Sequence, residues 1–504
     1  MKKEICLIVS LICTFACTSV LFAQQQPSAH DGKYLEAMHR YITSEKLFGY
    51  VCQFSDTTLR GRLAGSEGMA QAVEILKGYY TQWGLQPAGP KGEYIQEYPH
   101  PTVEIGQGST MEILFPLQTG KSKETVWLHK SYPWADGWFA GNYSGSGDIT
   151  AEVVYAGFGV SAPELGYDDY QGIDVKGKIV LIEGETPNRS RSADSIALWY
   201  KHTLHQTKLA NAVAHGAAGM LYYWVPGPNA LYHPHFIYCN VTEAVVEDIF
   251  LGTGRNYKET VNKIYETFKP ASFQTGKKAR IKMVSTYKPD ATGKNILGVV
   301  KGSDPQLSNE YVIVSAHLDH LGMIPYHIAG ANDNNASSAA LLGVAEALSK
   351  CEVKPKRSIL FLSLDGEEAG LTGSLWYTQH PLIPKERIKA VVNLEQMGAG
   401  EALAGIYADH SPHLEAYMLE ANNKYIHRRL HTQVSPYLTR PRTDGAVFAK
   451  AGYPVLDLRA AGGGYYHHPL DNPDSINPET LRSATQWLYW ITILLADEGK
   501  SDGL

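Results

Sequence analysis

From about residue 290 onward, short apolar runs alternate with helical stretches, and most of the runs stop at a cluster of histidines or acids. Tyr311 to Leu318 is one such run, rich in β-branched residues. Ser358 to Leu364, Ile388 to Leu394 and Tyr453 to Leu458 are three more. Ala336 to Ser349 has helical periodicity, with Ala340, Leu341, Val344 and Leu348 along one stripe. Alternation of this kind predicts an α/β domain, a mixed and largely parallel sheet sandwiched by helices. In such a sheet, ligands gather beyond the carboxyl ends of the strands.

The polar residues fall at those ends. The first run ends in His317-Leu318-Asp319, and Gly330-Ala331-Asn332-Asp333-Asn334 precedes the helix. Later ends carry Asp365-Gly366-Glu367-Glu368 and Asn393-Leu394-Glu395, and Tyr465-Tyr466-His467-His468-Pro469 follows the last strand. Taken singly, each has an ordinary explanation. Asp333-Asn334 can cap a helix, and a histidine at a strand end can be plain surface. Together they bring imidazole and carboxylate, the ligands of catalytic zinc outside thiolate sites, to one edge of one sheet. His317, Asp333, Glu368, Glu395 and His467 suffice for two metals sharing a carboxylate, spaced about 3.5–4 Å apart as in other paired sites. Glu367 precedes Glu368 directly, so one can bind metal while the other acts as a general base.

Between about 130 and 280 the texture differs. Ala151 to Gly157 and Gly177 to Glu183 read as short strands, Lys208 to Ala218 as a helix and Gly219 to Trp224 as a strand. Glu67 to Trp83 reads as a helix that ends before Gly84. At the start, Lys2 and Lys3 precede an apolar run from Ile5 to about Ala23, the pattern of a secretory signal peptide. A lipoprotein-type leader ending at Cys17 is the lesser alternative. The expected product is exported, periplasmic or secreted. The expected divisions are 1–23 as signal peptide, 28–129 as the first part of the catalytic domain, 130–280 as an insert and 281–504 as the rest of the catalytic domain. Trp487 to Leu495 is too short to span a bilayer and reads as a buried helix. Cys52, Cys239 and Cys351 are too few and too scattered for a disulfide framework or a thiolate zinc site. With a net charge of −6 and dispersed Lys and Arg, no nucleic-acid partner is expected.

At these motifs the sequence resembles the co-catalytic di-zinc exopeptidase family, which includes secreted bacterial leucyl aminopeptidases, glutamate carboxypeptidase and glutaminyl cyclase. The matching segments are Ala316 to Gly322, Gly330 to Asn334, Glu367 to Ser374, Asn393 to Gly398 and Tyr466 to Pro469. The resemblance implies the phosphorylase/hydrolase-like fold and peptide substrates. It implies two zinc ions, other divalent metals being compatible. His317, Asp333 and Glu395 would hold one ion. Asp333, Glu368 and His467 would hold the other, with Asp333 bridging. Glu367 would shuttle protons, and Asp319 would orient His317. Glu395 stands where the family has Asp, His468 where it has Thr, and Thr443-Asp444-Gly445 where it commonly has Ser-Asp-His. The insert resembles a β-rich protease-associated domain through Val154 to Gly159, Asp168 to Tyr170, Gly177 to Val180 and His215 to Gly219. Leu59 to Pro90 resembles the family's N-terminal helix, which would make the catalytic domain discontinuous.

The implied activity is an aminopeptidase. A glutaminyl cyclase would carry a longer segment before Gly373-Ser374. A glutamate-type carboxypeptidase would need a basic pocket, for which Arg440 and Arg442 are the available residues. A receptor-like binding protein would lack ligands. Tyr437, Tyr465 and Tyr466 are candidates for lining the pocket.

Overall fold

A computed structural model describes residues 29–498 apart from 119–124, 191, 228–230 and 436–441. The leader region, Tyr437 and Arg440 lie outside the described residues. The four apolar runs form the middle of a nine-stranded sheet. Across it lie Thr292–Val300, Ser358–Leu364, Tyr311–His317, Ile388–Glu395, Val455–Ala461, Ala402–Ala408 and Leu430–Ser435, with Gln86–Pro87 and Ile95–Pro99 along the first edge. The four central strands are mutually parallel. Thr292–Val300 and Ala402–Ala408 join them antiparallel, so the sheet is mixed.

Strand alternation divides the core between the two faces of the sheet. Val312, Val314 and Ala316 pack with Val392, Leu394, Leu456 and Leu458 under the helices Ala336–Lys350 and Pro478–Asp497 and the N-terminal helices. Ile313, Leu360, Leu362, Val391 and Val455 point the other way, onto Tyr377, Ala446 and Phe448 of Thr372–Gln379 and Asp444–Lys450. Both faces are covered, which is why these strands read as continuous apolar runs. The expected helix at Glu67 forms as Glu67–Trp83, with Ser66 accepting from the Met69 N–H and Gly84 closing it in the left-handed region. The C-terminal apolar stretch lies within Pro478–Asp497, where Trp487 and Trp490 are fully buried.

A second, eight-stranded sheet runs from Thr110 to Met283 in the chain. Its parallel part is Gly147–Tyr155, Ile179–Glu183, Gly219–Tyr223 and Ile237–Val241. Phe273–Met283 and Thr110–Gln118 extend it antiparallel. The helix read from Lys208 begins earlier, as His205–Ala214. Cys52, Cys239 and Cys351 are unpaired thiols. Among the described residues no helix is long and apolar enough to cross a membrane.

Register sets the site. His317 lies opposite Leu364, so Asp365 follows at the same level. Ala316 lies opposite Leu394, which puts Glu395 level with His317. One buried side chain fastens the N-terminal segment to this edge. Arg62 is wholly buried, and its guanidinium donates from Nε to the Leu318 carbonyl (2.8 Å) and from Nη1 to the carbonyls of Phe54 (2.5 Å) and Ala329 (2.9 Å). Arg62→Ala removes its donors from three buried carbonyls, of which Ala329 keeps the Asn335 amide (3.2 Å). It should lower unfolding stability by about 3 kcal/mol, read as an earlier urea midpoint. An unchanged midpoint would remove this anchor from the account.

Candidate metal centre

The strand ends and the loops after them bring the expected side chains together. Asp333 lies between two histidines. Its Oδ1 is 3.4 Å from His317 Nε2 and its Oδ2 is 3.5 Å from His467 Nε2. Glu395 Oε2 lies 3.6 Å from His317 Nε2, and Glu368 Oε2 lies 3.0 Å from His467 Nε2. Ligand-capable atoms of His317, Glu367 and Glu395 fall within 4.8 Å of one another, as do those of His320, Asp333 and Glu368. His468 points elsewhere, its Nδ1 accepting from the Leu470 N–H. Arg442 is exposed.

Each imidazole is aimed from behind. A carbonyl oxygen can only accept, so His317 Nδ1 donates to the Asp319 main-chain oxygen (3.2 Å) and His467 Nδ1 donates to that of Pro226. Both bonds turn Nε2 toward the carboxylates. Asp319 does a second task that sequence spacing did not suggest. Its carboxylate accepts the N–H groups of Glu367 (3.1 Å) and Glu368 (3.2 Å), while Oδ1 stays 3.7 Å from His317 Nδ1. It therefore fixes the turn that carries both glutamates. Asp471 does the same for the Asp333 loop, accepting from Asn332 N–H (2.8 Å) and Asp333 N–H (3.0 Å). Gly330 begins that loop at φ 60°, where a side chain would press on the Asp333 carbonyl and the His320 ring.

Three contributors were given no role from the sequence. His320 Nδ1 sits 2.8 Å from Glu368 Oε1 and helps orient it. Asp444 is buried beside this edge and accepts from Ser374 Oγ at 2.5 Å. Asp471 lies well downstream of the loop it supports. His320 stands in a motif segment already noted, so only its role was missing. Asp471 carried no spacing signal.

The field of the site is strongly negative. Burial alone would lower the His317 imidazole, but Glu367, Asp333 and Glu395 hold it well above its ordinary value. Burial likewise opposes protonation of His467, yet Glu368 and Asp333 push it up to about 9. Burial, reinforced by Glu368, Glu395 and Asp444, lifts the Glu367 carboxyl well above the usual range. Asp444 is pushed up to about 7, first by burial and then by Glu395 and Asp319. Its Oδ2 and Asp365 Oδ1 have no hydrogen-bond partner among the described residues. Buried carboxylates at this density need cations, and imidazole with carboxylate is a zinc-type donor set. The residues fit divalent metal.

Comparison with known proteins agrees with this geometry. Residues 295–491 match the family model described as Peptidase family M28, and residues 149–246 match the PA domain. The chain carries an M28 peptidase domain with a PA insert. The curated relatives include leupeptin-inactivating enzyme 1 of Streptomyces exfoliatus, 31% identical over 169 residues, 33% of this chain and 36% of that one. They also include an aminopeptidase of Pseudomonas aeruginosa (strain UCBPP-PA14), 26% identical over 347 residues, 67% of this chain and 54% of that one. The chain thus spans about a third to a half of the length of these relatives. Among solved structures, the aminopeptidase from Aneurinibacillus sp. strain AM-1 superposes with a TM-score of 0.63 at 20% identity, covering 92% of this chain and 96% of that one. BSAP, a zinc aminopeptidase from Bacillus subtilis, gives 0.61 at 18% identity, covering 92% and 97%. These likenesses establish the fold.

The raised imidazoles give the site a pH signature. In metal-free protein the folded His467 value of about 9 exceeds its ordinary 6.5. That stabilisation is complete below pH 6.5 and is lost as pH rises through 9, and His317 acts in the same sense. A bound cation requires deprotonated imidazoles and escapes this loss. The Tm difference between zinc-loaded and metal-free protein should therefore widen from pH 6.5 to 9 in calorimetric scans. A constant difference would contradict the assignment of His317 and His467 to the metal site.

Proposed function

We propose that this protein is an exported aminopeptidase that removes N-terminal residues from peptides with two zinc ions in one site. The observation that carries the reading is Asp333, with one carboxylate oxygen toward His317 and the other toward His467. In this reading His317, Asp333 and Glu395 hold one ion, and Asp333, Glu368 and His467 hold the other. Zinc, when bound, supplies a Lewis acid that acidifies water and polarises the scissile carbonyl.

The remaining chemistry belongs to side chains. Glu367 is the carboxylate left over beside the ligands. It takes a proton from the attacking water onto a carboxylate oxygen and delivers it to the nitrogen of the leaving amine. Its upward-shifted pKa suits a group that must hold that proton between the two transfers. Asp319 keeps Glu367 and Glu368 in register through their N–H groups. The Glu395 carboxylate, held by Asn393 Nδ2 (3.0 Å), offers negative charge to a free α-amine. Export is supported by Lys2, Lys3 and the apolar run that follows.

Aminoacyl-p-nitroanilide hydrolysis before and after chelation, with metal analysis of the same sample, tests the reading. Activity that survives full removal of metal would end it. Glu367→Gln should cut turnover about 10²–10⁴-fold with zinc content unchanged by atomic absorption. Loss of zinc in that variant would move Glu367 from proton transfer to ligation.

A further inference from the structure

A cavity of about 590 Å³ lies between the PA insert and the loop that carries His467. The insert supplies most of its wall. Phe158, Tyr223, Trp224, Tyr257 and Tyr265 line it, and Val261 faces it from the helix Tyr257–Thr267. The peptidase domain contributes Tyr466, His467 and His468. His467 therefore belongs both to this wall and to the proposed metal centre. Pro226, another lining residue, is the one whose carbonyl accepts from His467 Nδ1. The Tyr466 ring stacks on His467 with centroids 3.7 Å apart.

The charge on the wall selects the occupant. Among the described residues that line it there is no lysine or arginine, and the three acids are Glu183, Glu185 and Glu243. Glu183 is buried, contacts the hydroxyls of Tyr155 and Tyr257, and is pushed up to about 8 by that burial. Glu243 is paired with Lys258 Nζ at 2.6 Å. What remains is an aromatic and aliphatic chamber with an exposed carboxylate, Glu185, at its wall. A volume of this size with mostly apolar walls suits a large uncharged side chain, and an acidic one would meet unpaired negative charge.

We propose that the PA insert forms a specificity subsite of the peptidase, taking a large apolar side chain, aromatic or branched, from the residue on one side of the scissile bond. This rests on the aminopeptidase reading. It gives the insert a share in substrate choice, and it places part of the recognition surface on residues that share no strand with the metal ligands.

The test narrows the chamber at Val261, which holds no structural hydrogen bond through its side chain. Val261→Trp is assayed with phenylalanyl-, alanyl- and glutamyl-p-nitroanilides and with Leu-Phe, Leu-Ala and Leu-Glu. The unmodified protein should favour Phe over Ala and disfavour Glu in one of the two series. In that series Val261→Trp should lower the Phe-to-Ala ratio of kcat/KM at least tenfold, chiefly through KM, with zinc content unchanged. Calorimetry of the chelated protein with 4-phenylbutylamine provides a readout independent of turnover, and binding should weaken at least tenfold in the variant. Val261→Phe, a smaller intrusion, serves if the tryptophan variant fails to fold. Unaltered ratios in both series, with unaltered amine binding, overturn the subsite while leaving the peptidase intact. No hydrolysis of any substrate by the zinc-loaded unmodified protein overturns the aminopeptidase reading, and the amine titration still decides whether the chamber takes an apolar group.

Discussion

Mutual repulsion among buried carboxylates at one edge of a sheet is the constraint around which the rest of the molecule is arranged. Asp319, Asp333, Asp365, Glu395 and Asp444 are all buried there, with Glu367 and Glu368 beside them. In a poorly polarisable interior such a group is unfavourable without cations or converging donors. The chain supplies donors wherever a carboxylate serves structure. Main-chain N–H groups reach Asp319, Asp365 and Asp471. Around Asp333, Glu368 and Glu395 the neighbours are side chains instead, the imidazoles of His317, His320 and His467 and the amides of Gln396 and Asn393. Main-chain donors thus mark the framework acids, and imidazoles mark the acids proposed as ligands.

The scaffold follows from the same constraint. Parallel strands bring several chain segments to one edge, so ligands from His317 to His467 can meet although about 150 residues of sequence separate them. Loops leaving that edge must not drift, and each has its own fastening. Arg62 holds Leu318 and Ala329, Asp319 holds the Glu367 turn, and Asn334 bridges to the Leu394 carbonyl and the Gln396 N–H. A site that requires tenths of an ångström is thus built from strand ends and pinned turns.

Much of this was readable from residues alone. The strands Tyr311–His317, Ser358–Leu364 and Ile388–Glu395 were visible because burial on both faces makes them uniformly apolar. The acids and histidines were visible because they interrupt that pattern at the same level. The antiparallel neighbours Thr292–Val300 and Ala402–Ala408 were not singled out, since residues such as Gly293, Lys294 and Gly405 break their apolar runs. The extension of the second sheet back to Thr110–Gln118 also escaped notice, because pairing with Phe273–Met283 joins segments about 160 residues apart. The supports given by main-chain atoms, such as Pro226 behind His467, have no sequence signature. A carbonyl is present at every position, and only the fold selects which one matters.

The interrupted connectivity of the peptidase sheet has a consequence for how the chain is made. Ile95–Pro99 pairs with Thr292–Val300, and the helices Ala29–Tyr41 and Ser44–Phe54 lie against Ala336–Lys350. During synthesis the first hundred residues emerge well before these partners exist, while the whole insert is translated in between. The insert has its own sheet and core and can condense first. The amphipathic N-terminal helices must wait, with apolar faces bare, until about 280 further residues have followed. Non-local pairing of that kind is slow and prone to misassociation. The helices Ala29–Tyr41 and Ser44–Phe54 are thus the segments whose burial waits longest for its partner.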